Sequence, residues 1–135
     1  RVLFRSRLVG LELDGLFAGH AVVPASLAHQ VNDLAASPRT RQSLACVEPA
    51  AVAYLACQNA RIAPGDRVAV FGAGPIGFYA ALMAGSLFGA SRVCVSEPVE
   101  FRRTFAASAC DHVCDPHEFA ADRHGDPWRR AGLRP

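Results

Sequence analysis

The sequence predicts an α/β protein built on a parallel β-sheet. The run Arg67–Phe71 is short and mostly β-favouring, as expected of a buried strand, and Arg92–Ser96 and His112–Cys114 are predicted to follow as the next two strands. Helical segments separate these runs, so the order β-α-β-α-β predicts parallel pairing through right-handed crossovers. A chain of 135 residues that is 51% apolar and 19% charged has the composition of one globular domain.

The segment before the predicted sheet is expected to hold a short strand and two helices. Residues 11–23 predict a turn followed by a strand that ends at Pro24. Two Ala-rich stretches, 40–46 and 50–60, have helical character. They are separated by Pro49, which suits the first turn of the second helix because its missing N–H costs nothing there.

Glycines delimit the elements within the predicted sheet region. A helix is predicted over 75–88 and ends at Gly89, a residue suited to the left-handed cap position. A second helix is predicted over 99–109. Residues 68–90 carry no charge over 23 positions, but their glycines and Pro75 would break a continuous membrane-spanning helix. Two buried elements joined by a turn are predicted instead.

The charge pattern predicts neither a nucleic-acid partner nor a membrane partner. The formal net charge is +2, and all fourteen Lys and Arg positions are Arg, scattered along the chain. The five cysteines are odd in number, form no C-x-x-C pair and have apolar neighbours, which predicts a cytoplasmic protein with free thiols used for packing. These are Cys46, Cys57, Cys94, Cys110 and Cys114. Five histidines are expected to be structural or exposed rather than metal ligands: His20, His29, His112, His117 and His124.

The segment GAGPIG at 72–77 fits the G-x-G-x-x-G pattern of dinucleotide-binding turns. Gly72 permits a tight turn out of the strand, Gly74 leaves room for a diphosphate beside the backbone, and Gly77 lets the helix lie close to the sheet. The N–H groups and the positive dipole end at the start of the helix form an anion site. The candidate cofactor-binding residues of this motif are Gly72, Gly74, Pro75, Ile76 and Gly77.

An acidic residue at the end of the next strand completes the candidate site. Glu97 follows Gly77 by 20 residues, the interval at which a carboxylate accepts hydrogen bonds from an adenosine ribose. A 2′-phosphate would be repelled there, which favours NAD over NADP. Arg102 and Arg103 are candidates to contact the adenine or a phosphate, with solvated helix cations as the alternative. Two other interpretations of the whole motif remain open. One is a glycine-rich turn beside a surface Glu without a ligand, and the other is a site for S-adenosylmethionine or a flavin.

Three separate segments carry a resemblance to a known family. They are SLACVEPAAVA at 43–53, PGD at 64–66 and VAVFGAGPIG at 68–77. In order and spacing they closely resemble the medium-chain zinc-dependent alcohol dehydrogenases, especially the sorbitol, threonine and other polyol dehydrogenases. Residues 14–24 are similar to the passage that ends that family's catalytic domain, although Leu16, Gly19 and His20 depart from it.

The resemblance implies a partial Rossmann-type parallel sheet preceded by the end of a GroES-like, β-rich catalytic domain. Residues 1–36 would be the remnant of that domain, 37–62 linking helices and 63–115 a partial NAD-binding domain, while no structure is predicted for 116–135. Residues 1–6 are expected to be non-native, because their Leu-Phe-Arg-Ser stretch can be encoded by a common sequencing adapter. The chain is expected to be a fragment that is inactive by itself.

The resemblance also implies roles for two residues outside the glycine motif. In the family, the acid of the Glu-Pro motif lies at the catalytic zinc as a direct or water-mediated ligand. This implies the same role for Glu48, 24 residues before Gly72 as in the sorbitol-type members. Val52 would line the nicotinamide. The family's other zinc ligands lie outside this chain, and no catalytic residue is predicted within it.

The implied parent protein is an oxidoreductase that uses NAD and zinc to oxidise a secondary alcohol or polyol to a ketone by hydride transfer, as alcohol dehydrogenases of class EC 1.1.1 do. Its partners would be a small-molecule alcohol or polyol substrate and further copies of itself, since relatives commonly form dimers or tetramers. Two alternatives remain open. One is a zinc-free medium-chain reductase, and the other is a dinucleotide-binding module without catalysis.

Overall fold

The computed structural model describes residues 9–31 and 37–117. By contacts the chain divides into two compact units, Arg1–Ala36 and Ser37–Pro135. The predictions made for residues 1–6 and for residues 118–135 of the tail lie outside the described residues.

The described part of the first unit is largely irregular. It holds a 3-10 helix at Ala25–Leu27 and an isolated bridge between Val9 and Leu13. The strand predicted within 11–23 is therefore wrong for these residues. A strand needs a neighbouring strand to bind its backbone N–H and C=O groups, and Val22 is fully exposed to solvent. That this segment ends a β-rich catalytic domain stays a prediction.

The second unit contains the three predicted strands as a parallel sheet in the order β1-β2-β3. They are β1 (Arg67–Phe71), β2 (Arg92–Ser96) and β3 (His112–Cys114). Ser96 pairs with Phe71 on one side and with Cys114 on the other. The carboxyl ends of all three strands therefore meet at one edge of the sheet, where ligands bind in folds of this kind.

Among residues 37–115, four α-helices accompany the sheet. They are α1 (Pro38–Ser43), α2 (Val47–Asn59), α3 (Pro75–Ser86) and α4 (Glu100–Ala106), with a 3-10 turn at Leu44–Cys46 between α1 and α2. Helices lie where they were predicted, but their ends differ: α2 begins three residues earlier than position 50, α1 and α3 end earlier than predicted, and α4 is shorter than 99–109. Ser37 caps α1 through its hydroxyl, which accepts a hydrogen bond from the Thr40 N–H at 3.1 Å.

Small residues let the helices lie close to the sheet. Ala81 and Ala84 of α3 are fully buried against Val93 and Val95 of β2, and Ala106 of α4 completes the cluster. A side chain longer than alanine at these positions would push the helix away from the strand. The small side chains of α3 therefore set its distance from β2.

Gly89 has the positive φ of +74° expected of a left-handed residue, but it lies two residues beyond Leu87, which is the C-cap of α3. It follows α3, which is 12 residues long. In the part of the chain that the structure describes, no helix is both long enough and apolar enough to cross a membrane.

Candidate dinucleotide-binding site

The chain bends sharply between β1 and α3. Gly72 adopts a φ of +95°, which side chains other than glycine rarely tolerate, and its N–H donates to the Ser96 carbonyl oxygen at 2.7 Å. A Cβ atom at Gly77 would overlap the Gly72 carbonyl oxygen. The fold therefore requires glycine at both positions, one for conformation and one for close approach.

Gly74 has no comparable structural requirement. Its φ of −68° suits any residue, and a Cβ atom built on it meets nothing within 4 Å. Gly74 is the N-cap of α3 and makes no side-chain cap hydrogen bond. The first turn of a helix has N–H groups without intrahelical acceptors, so the open space beside Gly74 lies at the positive end of α3.

Glu97 follows β2 directly and reaches back to the glycine bend. Its side chain is only 2% exposed. The Ala73 N–H donates to Oε2 at 2.6 Å, and the Val99 N–H donates to Oε1 at 2.9 Å. The carboxylate thus connects the bend to Val99, the residue that precedes α4. The sequence position of Glu97 after a strand did not predict this structural role.

The hydrogen bonds to Glu97 also set its charge. The N–H groups of Ala73 and then Val99 hold the pKa of this carboxyl below its usual value. Burial acts in the opposite direction and is outweighed, with smaller help from the positive charges of Arg102 and Arg103. Glu97 is therefore a carboxylate anion at neutral pH.

Arg103 makes its contacts with the protein through one guanidinium nitrogen, Nη1. The two N–H bonds of its Nη1 are shared among three acceptors, the carbonyl oxygens of Glu97 and Pro98 at 2.8 and 2.7 Å and Asp115 Oδ2 at 2.9 Å. The side chains of Arg103 and Asp115 are each 25% exposed. Arg103 thus joins α4 to the ends of β2 and β3 and is not simply a solvated cation. Its contact with the adenine or a phosphate stays a prediction.

A cavity of about 430 Å³ opens at the glycine bend. Gly74 and Pro75 form one wall, and Phe78, Phe101 and Arg102 line others. The volume lies in the range of small-molecule pockets, and Arg102 supplies a positive charge at its rim. The structure therefore brings Arg102 to the bend, as its candidate role requires.

Glu48 and Val52 lie one turn apart on α2, and both are exposed. Neither lines the cavity at the bend. Within residues 9–31 and 37–117, no group of three His, Cys, Asp or Glu side chains able to hold a metal includes Glu48. The described residues alone do not form a zinc site around it, so its metal role and the nicotinamide role of Val52 stay predictions.

A parallel β-α-β unit with a glycine bend, a helix N-terminus and an acid after the second strand defines the dinucleotide-binding class of Rossmann-type folds.

Comparison with known proteins shows which members of this class the chain is similar to. The chain is 40% identical over 114 residues to scyllo-inosose 3-dehydrogenase from Thermotoga maritima, covering 80% of this chain and 29% of the relative. It is 36% identical over 114 residues to L-threonine 3-dehydrogenase from Thermococcus kodakarensis, covering 84% of this chain and 31% of the relative.

A solved structure agrees with these relatives. A putative zinc-binding dehydrogenase from Sinorhizobium meliloti, bound to NADP, superposes with a TM-score of 0.71 at 27% identity, covering 88% of this chain and 33% of that one. No protein-family model matches the chain. The chain belongs to the medium-chain zinc-dependent alcohol dehydrogenase family. It spans about 30% of the length of the curated relatives described above.

Proposed function

We propose that this chain forms the dinucleotide-holding part of an NAD-dependent oxidoreductase that converts a secondary alcohol or polyol to a ketone. The observation that carries the proposal is the pairing of Glu97 with Ala73 beside the open space at Gly74. Residues 63–115 would then be the partial dinucleotide domain and 1–36 the end of the catalytic domain. The dehydrogenase relatives support the reaction class.

The N-terminus of α3 would hold the diphosphate. The N–H groups of Ile76 and Gly77 belong to its first turn and complement an anion, as does the helix dipole. Gly74 keeps this approach open, because any side chain there would project into the space that a phosphate needs. Binding at this point would place the adenosine half of the cofactor toward β2.

Glu97 would recognise the adenosine ribose. A carboxylate offers about four acceptor positions, and the two backbone N–H groups occupy one on each oxygen. The remaining positions suit ribose hydroxyl donors, whereas a 2′-phosphate would be repelled by the buried negative charge. This favours NAD in this chain, although the similar Sinorhizobium protein is bound to NADP.

Arg102 would contact the cofactor from the rim of the cavity, where its charge can pair with a phosphate oxygen or lie along the adenine. NAD, when bound, supplies a hydride acceptor. The part played by this chain's residues is to hold and orient that group. The described residues do not assemble a zinc site around Glu48, so the role proposed for this chain is confined to the dinucleotide.

The proposal is tested by measuring NADH binding to the 135-residue chain by calorimetry. Gly74→Ala should fold normally, because nothing lies within 4 Å of the added Cβ, but should weaken NADH binding by at least about 10-fold, equivalent to about 1.4 kcal/mol. Gly85→Ala is the matched control on the same helix, since its Cβ would make an ordinary contact of 3.8 Å with Val93 Cγ2. Equal NADH affinity in Gly74→Ala and wild type would contradict the proposal.

The zinc part of the proposal has a separate test. If the parent is a zinc enzyme, the gene segment that precedes codon 1 should encode the family's Cys and His-Glu ligands. Their absence from that gene would favour the zinc-free reductase, for which the Glu48-Pro49 pair would be accidental.

A further inference from the structure

The pairing of β2 with β3 brings together cysteine and histidine side chains that are not part of the dinucleotide site. Cys94 lies directly opposite His112, and Ser96 lies opposite Cys114. Because side chains alternate along a strand, Cys94, His112 and Cys114 share one face of the sheet. The other face carries Val93 and Val95, which pack in the core with the helices.

The three side chains are close enough to share one ion. The two Sγ atoms and an imidazole nitrogen all lie within 4.8 Å of one another. Around tetrahedral zinc, with Zn–S near 2.3 Å and Zn–N near 2.0 Å, neighbouring ligand atoms are about 3.5 to 3.8 Å apart. Side-chain rotations that move each donor by about 1 Å would therefore close the site.

The surroundings suit a thiophilic ion. Cys94 is 1% exposed and Cys114 is 5% exposed, so their sulfur atoms lie away from water, while His112 is half-buried. The Cys114 thiol is directed to the Val95 carbonyl oxygen at 3.7 Å, a long contact that a metal bond would replace. Thiolate and imidazole donors together select zinc and similar transition metals over magnesium or calcium.

We propose that Cys94, His112 and Cys114 bind one thiophilic divalent metal ion, represented by Zn²⁺, which would tie β3 to β2. Binding releases the two thiol protons to solvent, so the two thiolates balance the charge of the ion. A water molecule on the half-buried His112 side completes the tetrahedron. This site is separate from the one implied for Glu48 and does not depend on the proposed dehydrogenase function.

The neighbouring thiols give natural controls. The Cys110 thiol is directed to the carbonyl oxygens of Ala106 and His112 at 3.2 and 3.4 Å. The Cys57 thiol, on α2, is directed to the Ala80 carbonyl oxygen at 3.6 Å. Cys57 is buried like Cys94 but lies outside the cluster, so its replacement tests whether any buried thiol would account for metal binding.

The test is a Co²⁺ titration of the reduced, metal-free 135-residue chain, followed by displacement with Zn²⁺. The expected result is one Co²⁺ per chain, with the intense absorption bands of tetrahedral cobalt thiolate. Cys94→Ser and His112→Asn should each weaken binding by at least about 100-fold. Cys57→Ser should leave the titration unchanged, and Glu48→Gln should do the same, which separates this site from the one implied by family resemblance.

Thermal unfolding provides a second readout that does not depend on a buried substitution being tolerated. Zn²⁺ at about 100 times its dissociation constant should raise the wild-type midpoint by on the order of 10 °C. The half-buried His112→Asn variant, its fold checked by circular dichroism, should show no such rise. A folded wild-type chain without cobalt–thiolate bands, or His112→Asn that binds Co²⁺ like wild type, would overturn the proposal.

Discussion

At the scale of single residues, Glu97 is the point where the fold and the candidate site meet. A buried carboxylate is costly unless its oxygens are hydrogen-bonded, and here the N–H groups of Ala73 and Val99 meet that need. The same contacts hold the bend beside the N-terminus of α3. The proposed ribose contact would use the same carboxylate that holds the bend.

Replacing Glu97 by Gln should destabilise the chain at neutral pH. One backbone N–H, of Ala73 or Val99, would then face an amide NH₂ group, a donor against a donor. We expect the thermal midpoint to fall by about 5 °C, together with weaker NADH binding. Scanning calorimetry and calorimetric titration at pH 7 measure the two effects, and an unchanged midpoint would contradict the bracing role.

The acid dependence of stability follows from the same carboxylate. Its pKa is lowered on folding from the ordinary value of 4.5, so its stabilisation is present above that value and is lost as pH falls through the lowered pKa. Wild type should lose stability below about pH 4.5 more steeply than Glu97→Gln. Urea unfolding from pH 7 to pH 3 checks this, and parallel pH profiles would show that Glu97 makes no such contribution.

Replacement by alanine should affect the free energy of unfolding differently at Gly74 and at Gly77. Gly77→Ala places a Cβ on the Gly72 carbonyl oxygen and should lower the free energy of unfolding by about 2 kcal/mol or more. Gly74→Ala meets nothing and should stay within about 0.5 kcal/mol of wild type. Urea unfolding of both variants tests the contrast, which similar losses in the two would contradict.

At the scale of elements, Arg103 connects α4 to the ends of two strands. Loss of its bonds to Glu97, Pro98 and Asp115 in Arg103→Ala should lower the free energy of unfolding by about 2 kcal/mol. The adjacent Arg102→Ala is the control for stability, because that side chain is exposed and should change it by less than about 0.5 kcal/mol. If both variants unfold alike in urea, Arg103 is not a connector.

The strands and helices of the second unit could be predicted because their signals are local. Strand β1 is bounded by a Pro-Gly turn and the glycine motif, and both flank a short β-favouring run. The start of α2 at Val47 could not be predicted in the same way, since its N-cap, Cys46, makes no side-chain cap hydrogen bond and is not a typical capping residue. The strand expected within 11–23 failed because pairing depends on a distant partner, and no local pattern shows whether that partner is present.

At the scale of the whole molecule, the site was predictable only in part. The spacing of Glu97 from the glycine motif indicated that it would face the bend, but not that its two oxygens would bind backbone N–H groups. The grouping of Cys94 with His112 and Cys114 depends on the register of β2 against β3, which spacing along the chain does not specify. Cysteines expected to serve only in packing thus became a candidate metal site.

Dinucleotide binding at the glycine bend is tested most directly by mapping backbone amide chemical shifts while NADH is added to the ¹⁵N-labelled chain. The predicted result is saturable shifts concentrated at residues 72–77 (apart from Pro75, which has no amide proton) and at Arg102, with Gly85 unmoved. Saturable shifts that leave Ala73, Gly74 and Gly77 unmoved, or no shifts at millimolar NADH, would contradict it.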